Sequence, residues 1–153
     1  MKSGFYGILA FIIGFVIAQS GKIIGGIISG KKKKYKNYKE VISDLTKSGG
    51  MPSGHSASFT ALTTFLGLSE GFDSAVFALA IGMTIIIIYD AVNVRYAVGE
   101  YGKLLNEIAI SDGNDKTQPK KLVEGHTVPQ AIVGILIGIL VGIGVYIIYK
   151  AMM

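Results

Sequence analysis

Cysteine is absent from this 153-residue chain, which excludes a disulfide framework, a thiolate metal site and a cysteine nucleophile. Charge is scarce too: only 16% of residues are Asp, Glu, Lys or Arg, and Arg95 is the single arginine. Histidine is confined to His55 and His126. Proton transfer near neutral pH and bidentate anion binding therefore have few side chains to draw on. Apolar residues fill the space instead. Half of the chain is hydrophobic and 21 residues are glycine, a composition foreign to a soluble globule of this size. The net charge of +5 suits either nucleic acid or anionic lipid, but the basic residues lie between apolar runs. That arrangement favours a bilayer and argues against nucleic acid.

Residues 4–29 carry one charge, Lys22, and exceed the ~20 residues that cross a hydrocarbon core. Lys2, the apolar run and Ala18-Gln19-Ser20 mimic a secretory signal, yet the run continues through Ile23 to Ile28, so a spanning helix is expected. A second helix over 54–69 is short and rich in Ser and Thr, suited to packing among other helices rather than facing lipid. Glu70 to Ser74 reads as a tight turn, followed by a third helix over 74–95 and a fourth over 128–149. The predicted fold is all-α, one polytopic membrane bundle of about four transmembrane helices, with loops at 30–53 and 96–127. Gly134, Gly138 and Gly142 form a small-residue stripe on the fourth helix. It serves either packing within the chain or a homodimer contact.

Lysines 31–34, 36, 39 and 47 occupy the first long loop, and Arg95, Lys103, Lys116, Lys120 and Lys121 the second, against Lys2 and Lys150 at the opposite ends. The positive-inside rule then places both loops in the cytoplasm of a cell-membrane protein with both termini outside. The Lys31 to Lys34 run needs no ligand beyond this role, although anionic headgroups would also attract it.

This topology gathers the polar residues at one membrane level. His55 opens the second helix, Asp90, Asn93 and Arg95 close the third, and His126 precedes the fourth. A carboxylate at the end of a spanning helix needs a partner. In α-helical geometry Arg95 lies about 140° around the axis from Asp90, so the two are not expected to pair, and Asp90 is left for a histidine. Lys22 and Gln19, three residues apart, share a face of the first helix and point to the same level.

Met51-Pro52-Ser53-Gly54-His55-Ser56-Ala57 is the most informative stretch. Ser53 suits a helix cap, Gly54 lets backbone approach an anion, and the helix start offers unpaired N–H donors. A phosphate monoester needs such donors, positive charge, an in-line nucleophile and an acid for the leaving oxygen. The expected site thus has Ser53, Gly54, Arg95 and Lys22 as phosphate ligands, with Gln19 and Asn93 beside them. His55 is the expected general acid, His126 the nucleophile or base and Asp90 its orienter. That chemistry requires neither metal nor cofactor.

Gly49 to Ala57 resembles the second signature of the type 2 phosphatidic acid phosphatase superfamily, which includes vanadium-dependent haloperoxidases. The likeness is closest to its divergent branch of small membrane proteins, and extends over Lys39 to Leu45, Gly67 to Ser74, Tyr89 to Arg95, Leu105-Asn106 and Gly125 to Thr127. It implies a membrane-embedded hydrolase of a lipid phosphate monoester, or a lipid-phosphate binder or transporter that keeps the anion pocket. By the same likeness His55 protonates the leaving alcohol, Ser53 and Gly54 hold phosphate, and Arg95 matches the arginine that opens the third signature. The nucleophilic histidine that the superfamily places six residues later is Tyr101 here, and no Arg-Pro of the first signature occurs. His126, reaching in from another helix, is the expected substitute.

Overall fold

The computed structural model describes residues 2–28, 50–111 and 125–153. The Lys31 to Lys34 run and the lysines at 36, 39, 47, 116, 120 and 121 lie outside these residues. Among the described residues all regular structure is helical. Helices α1 (Lys2–Ile28), α2 (Gly54–Glu70) and α3 (Ala75–Tyr89) are followed by a π turn (Asp90–Val94), α4 (Arg95–Ser111) and α5 (Val128–Ala151). Three segments are long and apolar enough to cross a membrane: Ser3–Ile28, Ala75–Ile108 and Val128–Ala151. The expected loop over 96–127 is thus corrected at its start, where helix continues to Ser111. Glycines at 99 and 102 disguised that helix in the sequence, yet its interior tolerates them at ~1 kcal/mol each.

The fold is built around α2. Its 17 residues measure only about 26 Å, short of a full crossing, and its polar surface could not face hydrocarbon. It lies instead between α1 and α5, with α3 on a third side. Ala57, Ala61 and Phe65 are fully buried there. Glycine makes that burial possible. A methyl added at Gly138 would sit 2.6 Å from the Ala57 carbonyl oxygen and 2.7 Å from Thr60 Cβ, and one at Gly134 would sit 2.6 Å from the Ser53 carbonyl oxygen. Gly142 meets Ala61 and Thr64 in the same way, and Gly14 of α1 meets Ala57 from the opposite side. The glycine stripe of α5 is therefore used inside the chain, against α2.

Polar side chains on α2 are satisfied by the neighbours they face. The Thr63 and Thr84 hydroxyls lie 2.7 Å apart, and the Ala80 carbonyl accepts from them at 3.2 and 2.8 Å. This ties α3 to α2 at mid-depth, while most of the remaining α3 surface is apolar and outward. The turn between them follows the expected pattern, with Gly71 at φ 97° ending α2 and Ser74 Oγ accepting from the Phe77 N–H to start α3. At the end of the bundle remote from the α2 start, Phe65 meets Tyr149 edge to face and Tyr149 meets Tyr6 at a tilt, with centroid separations of 5.6 and 5.2 Å.

Gly138→Ala is expected to lower the thermal midpoint of the detergent-purified protein, through a clash costing about 1–3 kcal/mol. Gly144, whose added methyl would meet nothing within 4 Å, gives the contrast. Gly144→Ala should leave the midpoint unchanged or raise it.

Candidate functional site

Three elements are fastened together at the end of the bundle where α2 and α5 begin. The Ser53 N–H donates to the Gln130 carbonyl at 3.1 Å, joining the two helix starts. The His126 N–H donates to the Ala91 carbonyl at 3.0 Å, joining the approach to α5 to the π turn. Gly125 lies hard against the Arg95 and Tyr96 backbone, with no room for a Cβ. From α1, Gln19 and Phe15 abut Gly54, and Lys22 lies beside Gly50.

The π turn explains how Ala91 can serve His126. In an α-helix the Ala91 carbonyl would accept from the Arg95 N–H, but that N–H goes to Asp90 instead, five residues back. The Ala91 oxygen is released and accepts from His126. The same register corrects the expectation for Asp90. Arg95 Nε lies 2.6 Å from Asp90 Oδ2, so the carboxylate is engaged by the guanidinium rather than free for a histidine. The 100° spacing that separated the pair holds for α geometry, and the i,i+5 register replaces it here.

The other expected residues fall into two groups. Ser53 is fully buried, and its Oγ accepts from the Ser56 N–H at 3.3 Å and the Ser56 hydroxyl at 2.9 Å, so it is built into the helix start. That cap leaves the N–H groups of Gly54 and His55, in the first turn, without an intrahelical acceptor. Asn93 departs from expectation: it is exposed, and its side-chain amide donates to the Tyr89 carbonyl at 3.2 Å, one turn back in its own helical segment. Gln19 is buried next to Gly54. Gln130, at the head of α5, has a part that sequence did not assign: its Oε1 accepts from the Thr127 N–H at 3.0 Å. The Thr-x-x-Gln spacing of a capping box was its signal.

Electrostatics converge in the same place. The charges of Lys22, Arg95 and Asp90 all act on the His55 imidazole, and those of Lys22 and His55 act on His126. His126 is 3% exposed, and its Nδ1 is buried without a hydrogen-bond partner. Burial pushes the His126 pKa below its ordinary 6.5 and Lys22 pushes it the same way, while hydrogen bonding with the Gln130 side chain and the Gly50 backbone opposes them. His126 and His55 thus share the field of Lys22 at a helix start whose first N–H groups have no intrahelical acceptor, an arrangement suited to an oxyanion.

The divergent PAP2 family matches residues 6–141, which hold every one of these side chains. The chain belongs to that family. A family relative, the uncharacterized membrane protein YuiD of Bacillus subtilis (strain 168), is 35% identical over 108 residues, covering 61% of this chain and 68% of its own. No solved structure matches. Together with the apolar helices, family and relative make this a multi-pass membrane protein.

Gly125→Ala should be among the most damaging small changes to this end of the bundle, since the added methyl must displace the Tyr96 backbone or His126. It is expected to destabilise by about 1–3 kcal/mol in thermal unfolding of the detergent-purified protein.

Proposed function

We propose that the protein is a membrane-embedded phosphatase of lipid phosphate monoesters, working at the cytoplasmic interface. The supporting observation is that the charges of Lys22, Arg95 and Asp90 act on His55 and those of Lys22 and His55 on His126, which brings together parts of a divergent PAP2 chain far apart in sequence. In this reading the Gly54 and His55 N–H groups, Lys22 and Arg95 hold the phosphate. Asp90 holds Arg95 through Nε, leaving the other guanidinium N–H groups to the anion. Ser53 fixes the helix start that presents those donors.

Hydrolysis proceeds in two balanced steps. An imidazole nitrogen of His126 attacks phosphorus as the ester P–O bond breaks, and His55 gives its proton to the departing alcohol oxygen. Water then attacks the phosphohistidine, giving a proton to the now neutral His55, while the P–N bond breaks and inorganic phosphate leaves. No cofactor enters either step.

A second reading is a lipid-phosphate binding or transport protein with the same anion pocket. The Asp90–Arg95 pair favours it, because this pairing leaves His126 without the carboxylate that would orient a nucleophile. Phosphate release from phosphatidic acid in mixed micelles separates the two. The phosphatase reading expects release that falls about 100- to 10,000-fold in both His55→Ala and His126→Ala, with folding retained. Binding without release from the unaltered protein establishes the carrier and refutes the enzyme.

The pH profile provides a further test. Attack needs neutral His126, whose pKa lies below 6.5, so kcat/KM should fall on the acid side with a midpoint below 6.5. Lys22→Met removes one of the influences holding that pKa down and should move the acid midpoint upward.

A further inference from the structure

Between the π turn and the head of α5 the surface carries a hollow of about 250 Å³, lined by Val92, Tyr96, His126, Thr127, Val128 and Pro129. Its walls are apolar apart from His126 and Thr127. Val128 and Tyr96 form its rim at 55% and 44% exposure. Below Val128, Ile132 and Leu136 follow at four-residue intervals along the outer face of α5, both exposed, so the apolar track continues from the hollow into the bilayer. At its inner end is His126, whose Nδ1 is buried with no partner.

These observations bear on what kind of phosphate compound the site accepts. A soluble phosphate gains nothing from an apolar trough beside the anion pocket. A lipid phosphate carries its glycerol and first methylenes within a few bonds of phosphorus, and those groups need an apolar surface continuous with lipid. We propose that the groove between Val92/Tyr96 and Val128/Pro129 seats the glycerol and proximal acyl chain of the lipid whose phosphomonoester lies at His126. The ligand arrives sideways from the leaflet. This proposal rests on the phosphate-site reading and adds to it the position of the hydrocarbon.

The chain contains no tryptophan, so a single introduced Trp is a sole fluorescent reporter. Tyr96→Trp places it in the groove, Val128→Trp serves at the opposite rim where the first variant does not reconstitute, and Leu79→Trp marks an exposed position near the start of α3, remote from the groove. Each full-length variant is reconstituted in phosphatidylcholine vesicles holding a minor fraction of chain-brominated phosphatidic acid, or of phosphatidylglycerol with the same brominated chains. The expected result is quenching of the groove reporter about tenfold more effective with the phosphomonoester lipid than with the diester, and no preference at Leu79→Trp. Equal quenching by the two lipids at the groove reporter overturns the proposal. Binding of inorganic phosphate to the unaltered protein, followed by phosphorus NMR, separates the two failures. Phosphate binding without selective quenching removes the groove alone, whereas absence of both removes the phosphate site with it.

Discussion

Close approach of α2 to the glycines of α1 and α5 is the constraint on which the remaining architecture depends. A short, hydroxyl-bearing helix has no place against lipid tails, where an unsatisfied polar group costs several kcal/mol. It is stable only if neighbouring backbones come near enough to cover it, and side chains larger than hydrogen at Gly134, Gly138 and Gly142 would hold them off. Dispersion across that contact replaces the hydrophobic drive that is lost between helices in a bilayer. The long helices on either side supply the crossing length that α2 lacks.

Because Ser53 and Gly54 are buried between α1 and α5, the first turn of α2 lies in a recess. Ser53 and Gly54 are therefore screened from bulk water, with His55 half-buried beside them, which strengthens any charge interaction made there. The cations that reach this recess come from other helices. Lys22 extends from α1, and Arg95 is steered by Asp90.

Much of this was legible in the residue order. Apolar run lengths gave the spanning helices, hydroxyl content marked α2 as internal, and the four-residue glycine spacing on α5 indicated a close helix contact. Pro-Ser-Gly-His located the capped helix start to within a residue. What escaped reading was everything governed by the π turn. A 100° wheel assigns Asp90 and Arg95 to different faces and Asn93 to the face of Asp90, and one extra residue in the turn overturns both assignments. Nor could α4 be separated from loop, since its charged residues and glycines outweighed the apolar period of Val98, Tyr101, Leu105 and Ile108. Tertiary context decided these points, and periodicity carries no record of it.

The released Ala91 oxygen has an implication for how this chain can vary through descent. An ordinary helix tolerates drift in side-chain identity provided its facing pattern survives, but a carbonyl set free by register has no side chain to substitute for it. The stretch from Asp90 to Arg95 is in effect a ruler: its count of residues, more than their chemistry, sets whether the segment bearing His126 has anything to hold. Insertions and deletions will be borne by the connecting segments, while this interval stays at constant length.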